Sequence, residues 1–175
     1  MTKFNICLLV VVFSAANASD KMKPYKYILN NKTTALIQWL DEEQDPNYTP
    51  GSIPLVLFTV IDSCRLKSLK ILVDKGANIN SRDLKTHTSL IHYASEHEDL
   101  SCLNFLLEKN IDMYQVNKLQ QTALFNAVTA KNKKAIMLLV DAGLSPDFTN
   151  KKGYSSIDIA KKINAPELFD FLEKP

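Results

Sequence analysis

Short clusters of apolar residues recur along the chain at nearly constant spacing. Three of them occupy residues 71–73, 105–107 and 138–140, and a fourth occupies residues 171–172. Each cluster includes positions three and four residues after another apolar residue, which is the spacing of one buried helical face. Those preceding residues are Leu69, Leu103, Ile136 and Leu168. The pattern therefore predicts one amphipathic helix in each of four similar units.

The units repeat with a period of about thirty-three residues. Four aligned positions hold small or branched apolar side chains and are separated by 34, 33 and 33 residues: Val60, Ala94, Ala127 and Ala160. A second column, sixteen residues after the first three of these, holds Gly76, Asn110 and Gly143. Glycine and, next best, asparagine adopt the left-handed conformation that ends a helix. Each unit is therefore predicted to contain a turn followed by two helices.

Polar segments separate the predicted helix pairs. Residues 78–86, 112–121 and 147–153 are rich in Asp, Asn, Ser, Lys and Gly, as expected of extended turns. One helix pair cannot cover its own apolar face, so neighbouring units must stack to bury it. The predicted organisation is a signal peptide over residues 1–18, N-terminal capping helices over 19–51, full repeats over 52–84, 85–118 and 119–151, and a C-terminal capping repeat over 152–175.

Two motifs of the repeat resemble those of the ankyrin-repeat family. Residues 76–83 read Gly-Ala-Asn-Ile-Asn-Ser-Arg-Asp, which is similar to the ankyrin stretch Gly-Ala-Asp-Val-Asn-Ala-Arg-Asp. Residues 88–90 resemble the Thr-Pro-Leu opening of the ankyrin first helix, and residues 122–127 and 153–160 resemble the same opening. The resemblance covers about residues 50–175. It implies an all-α ankyrin-repeat solenoid of stacked helix-turn-helix units joined by extended β-turn loops.

Two units depart from the ankyrin pattern. The second full unit carries one extra residue, which leaves either Ile91 or His92 in the column where the family has histidine. In the first full unit, residues 55–60 are apolar apart from Thr59, and the segment lacks the threonine that normally forms a hydrogen bond at the turn before the helix. Residues 52–55 are the candidates to supply that hydrogen bond instead. The register of the first helix in the second unit is open at this point.

The first eighteen residues have the pattern of a cleavable secretory signal. Lys3 supplies a positive charge, residues 6–13 are an apolar run, and Ala-Asn-Ala at 16–18 is a small-residue cleavage site before Ser19. The run is shorter than the roughly 20 residues of a membrane span. We therefore expect an exported mature chain, periplasmic or secreted, with no membrane span. The abundance of Lys, Asn and Ile is typical of an AT-rich genome and favours a bacterial source.

Export would place two cysteines of the mature chain in an oxidising compartment. Cys64 and Cys102 can form one disulfide there, and such a bond persists outside the cytosol. Two half-buried free thiols in neighbouring repeats are the alternative. Because geometry decides between them, the sequence leaves the choice open.

Neither charge nor motifs indicate nucleic-acid binding or catalysis. The chain has 21 Lys plus Arg against 19 Asp plus Glu, which leaves no broad field for nucleic acid. His87, His92 and His97 follow one another by five positions, so their side chains cannot converge on one metal ion. The sequence contains no nucleophile motif and no glycine-rich phosphate loop. We expect no enzyme activity, no cofactor and no metal site.

The ankyrin resemblance implies a protein-binding module whose concave face is lined by the turn tips and the first helix of each unit. Packing fixes the core positions, while tip and first-helix positions are free to vary and to form a recognition surface. The predicted partner is another protein, bound by a monomeric chain. The candidate protein-binding residues are Arg82, Leu84, Lys85, Tyr93, Glu96, Lys118, Leu119, Gln120, Asn126, Thr129, Lys151, Lys152 and Tyr154.

Three functions fit this picture, in decreasing order of preference. The first is a periplasmic or extracellular partner that protects or inhibits an enzyme or a toxin. The second is a secreted effector that binds host proteins, and the third is an enzyme built on a repeat scaffold. The sequence does not choose between the first two.

Overall fold

A computed structural model describes residues 22–42, 44–49 and 51–172 of the chain. The predicted signal segment and its cleavage site lie outside the described residues. Within them the chain forms α-helices and short 3-10 helices, and its β-structure is an isolated antiparallel bridge between Arg82 and Ser89. The predicted all-α fold is confirmed. Across the same residues, no helix has both the length and the apolar character to cross a membrane.

The helices follow one another in pairs. The N-terminal pair is α1 (Lys23–Leu29) and α2 (Thr33–Asp41). The first full unit has a 3-10 helix (Leu55–Thr59) and α3 (Leu66–Asp74). The next two units contain α4 (Leu90–Ala94) with α5 (Ser101–Glu108), and α6 (Ala123–Thr129) with α7 (Lys133–Asp141). The last unit contains α8 (Ser156–Lys162), a 3-10 helix (Pro166–Leu168) and α9 (Phe169–Leu172).

The second helices end where the sequence predicts. Gly76, Asn110 and Gly143 have positive φ angles of 91°, 54° and 106°. At the first of these, the Gly76 N–H donates to the Val73 carbonyl, and the next N–H donates to the Leu72 carbonyl. This pair of bonds is the Schellman motif, which satisfies carbonyls that the helix itself leaves unpaired. The same two bonds recur after α5 and α7.

The first helices begin at three residues spaced thirty-three apart. Ser89, Thr122 and Ser155 are the N-caps of α4, α6 and α8, and all three have extended backbone angles. This alignment places His92 in the same column as Phe125, which settles the open register of the second unit in favour of His92 and against Ile91. The alignment of residues 88–90 with Thr-Pro-Leu was wrong by one residue. Ser89 occupies the position of the family threonine, so residues 89–91 are the equivalent segment.

The first unit corrects the expectation of two α-helices in each full repeat. Its first helix is a five-residue 3-10 helix whose residues are all buried. The N-cap is Pro54, which makes no side-chain capping bond, so the substitute cap expected within residues 52–55 is absent from this described segment. The Thr59 hydroxyl bonds back to the Val56 carbonyl instead, at 2.6 Å.

A continuous apolar core connects all the units. It extends from Tyr25 in α1 to Leu172 in α9. The first helices α4, α6 and α8 contact one another in sequence and form one layer, while α3 contacts α5 and α7 contacts α9 in the other layer. Each unit therefore buries its apolar face against its neighbours, as expected of a repeat solenoid.

A disulfide joins two neighbouring units. Cys64 lies just before α3 and Cys102 lies within α5, and their Cα atoms are 5.7 Å apart. The structure therefore has the bridge and not the two free thiols that the sequence also allowed.

Candidate functional site: the hairpin tips

Three short hairpins precede the first helices and form a row along one edge of the solenoid. In each, a backbone N–H donates to a carbonyl across the turn: Asp83 to Thr88 at 2.8 Å, Asn117 to Gln121 at 3.0 Å, and Asn150 to Tyr154 at 2.8 Å. We call residues 83–88, 117–121 and 150–154 together the tip row.

Each tip is held by the side chain of its first residue. An Asp83 Oδ1 atom accepts from the N–H groups of Lys85 and Thr86 at 2.6 and 2.9 Å. Asn117 Oδ1 accepts from Leu119 N and Gln121 N at 2.8 and 3.1 Å. Asn150 Oδ1 accepts two N–H groups in the equivalent way. Asp and Asn side chains favour turns because they replace such backbone partners.

Neighbouring tips are also bonded to one another. Leu84 N donates to Ser52 O at 2.7 Å, Lys118 N donates to Thr86 O at 2.9 Å, and Lys151 N donates to Leu119 O at 2.8 Å. The tips are therefore fixed relative to each other by main-chain contacts. A surface that is ordered before binding loses less conformational entropy when a partner docks.

The extra residue of the second unit lies in its tip. Three residues separate Asp83 from His87, whereas two separate Asn117 from Gln120. His87 and Gln120 both have positive φ, 59° and 56°, and Gly153 has 76° in the third tip. The longer first tip accommodates the extra residue without shifting α4. His92 therefore still aligns with Phe125 of the next unit.

Most of the predicted tip residues are accessible to solvent. Leu84 is 63% exposed, Leu119 is 53% exposed and Tyr154 is 41% exposed. The exposed polar residues of the row include Lys85, Lys118, Gln120, Lys151 and Lys152. Arg82 differs from these, because it is partly buried at the base of the first tip and pairs with Ser89 in the isolated bridge.

Of the four first-helix candidates, Tyr93 lies in α4 and Asn126 and Thr129 lie in α6, whereas Glu96 lies in the turn just after α4 and outside the predicted helix. Asn126 Nδ2 donates to Glu96 Oε1 at 2.6 Å, which joins the two units through side chains. Removal from water raises the pKa of the Glu96 carboxyl, and the bond from Asn126 opposes this rise. Desolvation likewise raises the pKa of Tyr93 to about 12, so its phenol remains neutral. Thr129 is exposed, but its hydroxyl bonds to the Phe125 carbonyl of its own helix.

Sequence reasoning missed the residues that shape the tips. Asp83, Asn117 and Asn150 were not among the candidates, although they recur at 34 and 33 residues, the same spacing as the helix columns. That recurrence of Asp or Asn was the available signal. The main-chain bonds between tips leave no signal in side-chain identity, because any residue with an N–H can form them.

The three histidines have separate roles. His92 is fully buried, its Nδ1 lies 2.8 Å from Ser89 Oγ, and its Nε2 lies 2.9 Å from the Gln121 carbonyl oxygen. His97 bonds through Nε2 to the Val60 carbonyl, and His87 lies in the first tip. Over the part of the chain that the structure describes, no three metal-binding side chains come together.

A second surface feature lies at the N-terminal end. Tyr27, Trp39 and Tyr48 line an open groove beside α1 and α2. The Trp39 and Tyr48 rings meet edge to face with centroids 5.7 Å apart, so Trp39 packs within the N-terminal cap as the sequence pattern predicts.

A helical repeat solenoid with a preformed edge surface is a class of fold that acts by binding other proteins. The chain matches the family model "Ankyrin repeats (3 copies)" over residues 25–117 and 91–174. The chain belongs to the ankyrin-repeat family, and the repeats make it a protein–protein interaction module.

Several curated proteins are similar to this chain. A Danio rerio protein named as a palmitoyltransferase (ZDHHC13) is 28% identical over 138 residues, which are 78% of this chain and 21% of that protein. A fowlpox virus ankyrin repeat protein is 34% identical over 51% of this chain and 20% of its own length. A mimivirus ankyrin repeat protein is 29% identical over 62% of this chain and 70% of its own length. The match thus spans about a fifth of the first two relatives.

Proposed function

We propose that this protein is exported and binds a folded partner protein through the tip row and the adjoining first helices. The observation that carries the proposal is the set of main-chain bonds that fixes successive tips as one surface. Exposed leucine and tyrosine side chains on that surface offer apolar contact area, which drives most protein association. The proposed role is binding without chemistry.

Two observations support a location outside the cytosol. Residues 1–18 have the charge, apolar run and small-residue site of a secretory signal. The Cys64–Cys102 disulfide is the second, because such bonds persist in oxidising compartments. A periplasmic or extracellular partner that this chain protects or inhibits, such as an enzyme or a toxin, fits this location.

Native capture tests the proposal. The complete gene carries a C-terminal tag in the source organism, so that any processing occurs normally, and the protein is recovered from each cell fraction and from the medium. The expected result is a protein beginning near Ser19 that retains one partner in stoichiometric amount. A variant with Arg82, Lys118 and Lys152 changed to Ala should retain less of it.

Each result of the capture has a defined meaning. A retained enzyme or toxin supports protection or inhibition, while release of the protein into the medium with a host partner supports an effector. A protein that keeps residues 1–18 and remains in the cytosol contradicts export. Equal capture by the parent and the triple variant contradicts the use of the tip row.

A further inference from the structure

The tip row carries an excess of positive charge. Its lysines are Lys85, Lys118, Lys151 and Lys152, and all four are exposed. Arg82 stands at the base of the first tip and adds a fifth cation. Within the described residues, none of the four lysines forms an ion pair with a carboxylate. These charges are therefore available to a partner.

The row holds little negative charge to oppose them. Asp83 is the one carboxylate in residues 83–88, 117–121 and 150–154, all of which the structure describes. It is 5% exposed, and it accepts hydrogen bonds from two N–H groups of its own turn. The accessible charge of the row is therefore positive, although the whole chain has a net charge of only +2.

Apolar side chains alternate with these cations. Leu84 adjoins Lys85, Leu119 adjoins Lys118, and Tyr154 follows Lys152 after one glycine. Burying an exposed leucine stabilises a complex more than an exposed ion pair does, because water and salt weaken the attraction between exposed charges. The leucines would thus supply most of the affinity. The lysines would decide which partner approaches and in which orientation.

We propose that the tip row recognises an acidic segment of a partner protein, one that presents Asp or Glu beside aliphatic or aromatic side chains. This inference rests on the proposed protein-binding function and specifies its partner. Complementary charge favours an acidic surface. The two leucines that adjoin lysines in the row favour apolar groups within that surface. The bonds between tips hold the alternating pattern in place before the partner arrives.

Nucleic acid fits the same row less well. Binding of single strands combines positive charge with aromatic rings on which bases stack. In the three described tips the rings on which a base could stack are those of His87 and Tyr154, and Lys162 Nζ already lies 5.1 Å from the Tyr154 centroid. The neighbouring leucines offer no stacking face and no hydrogen-bond donor to a phosphate. The row therefore favours an acidic protein segment.

Selection from a library of random twelve-residue peptides, displayed on phage and applied to the purified disulfide-bonded chain, tests the inference. The expected peptides are enriched in Asp and Glu and contain at least one apolar side chain. A synthetic selected peptide should then bind K118E/K152E about tenfold more weakly than the parent, and higher salt should weaken its binding to the parent. Enrichment of neutral or basic peptides, or no enrichment, overturns the inference.

A charge-matched control separates the tip row from general electrostatics. The variant K67E/K134E changes net charge by the same amount, but its substitutions lie on α3 and α7, away from the tips. It should bind the selected peptide within about twofold of the parent. An equal loss in both variants overturns the inference. Unchanged circular dichroism and melting temperature verify that both variants are folded.

Other occupants give different results in the same assay. A single-stranded DNA of similar length that binds the parent as tightly as the selected peptide overturns the choice of a protein segment. A stable dimer that dissociates when the peptide binds would show that a second copy of this chain covers the tip row. That result overturns the inference as well. If acidic peptides bind but native capture finds no partner, the proposed function fails. If a captured partner contacts the tips through a neutral or basic surface, the proposed protein binding stands and the preference for an acidic segment is wrong.

Discussion

Cys64 and Cys102 are joined by a disulfide that connects the segment before α3 to the first turn of the second helix in the next repeat. The two residues are 38 positions apart in sequence, so the bond closes a loop that spans the whole first hairpin tip. Cys64 Sγ also lies 3.1 Å from Ser101 Oγ. The relationship matters because a solenoid is stabilised by contacts between neighbouring units, and this bond makes one such contact covalent.

Reduction of this disulfide should lower the free energy of unfolding. A closed loop of this length removes conformational entropy from the unfolded chain that corresponds to about 4 kcal/mol. Urea unfolding with and without reductant measures the difference. The double variant C64S/C102S should unfold at the lower midpoint and should not respond to reductant. A parent midpoint that reductant leaves unchanged would show that the bond contributes nothing to stability.

The His92 ring is a second link between units, and its replacement by phenylalanine tests it. Phe125 already fills the same column of the next unit, so a phenyl ring is compatible with the position. His92→Phe leaves Ser89 Oγ and the Gln121 carbonyl without their ring partners. We expect a loss of about 2 kcal/mol in the free energy of unfolding, measured in urea. A loss below about 0.5 kcal/mol, the lower end for a single hydrogen bond, contradicts this role.

The reverse substitution provides a matched control. Thr122 Oγ1 is buried and has no hydrogen-bond partner among the residues that the structure describes, because Phe125 stands where the second unit has histidine. Phe125→His would give that hydroxyl a partner and should therefore destabilise the chain less than Phe125→Ala, which creates a cavity. If the two variants unfold at the same urea concentration, the histidine–hydroxyl pair has no stabilising effect.

Protonation of His92 should make stability depend on pH. Burial lowers its pKa below the ordinary 6.5, and Arg82 acts in the same direction, while the hydrogen bond to Gln121 opposes them. The unfolded chain then binds a proton at a higher pH than the folded chain. The contribution of His92 to the free energy of unfolding is therefore greatest above pH 6.5 and falls as the pH drops from 6.5 toward the lower folded-state pKa.

Urea midpoints measured through that pH range test the dependence. In His92→Phe, the free energy of unfolding should decline less at low pH, because the contribution of His92 is missing. His87 and His97 remain in both proteins. The difference between parent and variant thus isolates His92. Parallel curves for the two proteins would mean that another group is responsible.

The repeat spacing made much of the fold predictable, and the reasons are physical. A buried helical face requires apolar residues three and four positions apart, and a helix stop requires a residue that accepts positive φ, so Gly76 and Gly143 were readable from sequence. The register at His92 was not readable. The extra residue could be placed anywhere between Gly76 and Ala94, and only the hydrogen bonds of Asp83 locate it in the tip.

The candidate surface was predictable only in part. Exposed tip residues such as Leu84 and Leu119 follow from the position of the turn, and the structure exposes both. Arg82 was expected to behave like them, but its backbone pairs with Ser89 and its side chain is partly buried. The disulfide also lay beyond sequence reasoning, because its formation depends on the distance between two residues in neighbouring repeats.

Gly143 provides a test of the predicted helix stops. Its φ is +106°, and an added Cβ would approach Tyr114 Oη to 3.5 Å and the Met113 methyl to 3.8 Å. Gly143→Val should lower the free energy of unfolding by about 1 kcal/mol or more, because a β-branched residue disfavours this backbone conformation. Thermal melting measures the change. Gly51→Val is the control, since a Cβ there meets no atom of the described residues within 4 Å. An unchanged melting temperature for Gly143→Val would count against the cap.

Asn117 tests whether side chains keep the tip row ordered. Asn117→Ala removes the acceptor of the Leu119 and Gln121 N–H groups. The hydrogen exchange of both amides should accelerate, and that of the Lys151 amide should follow, because Lys151 N bonds to the Leu119 carbonyl. Amide exchange followed by NMR resolves the three sites. Acceleration confined to Leu119 and Gln121, with the Lys151 amide unchanged, would show that the tips are not coupled.

Site-specific photocrosslinking in the source organism tests the central claim most directly. A photoreactive residue replaces either Leu119 in the tip row or Asn104 on the outer helix α5, both of which are exposed. We expect a single partner protein to be crosslinked from position 119 and not from position 104. Crosslinking of the same partner from position 104 alone, or of no protein from either position, would contradict it.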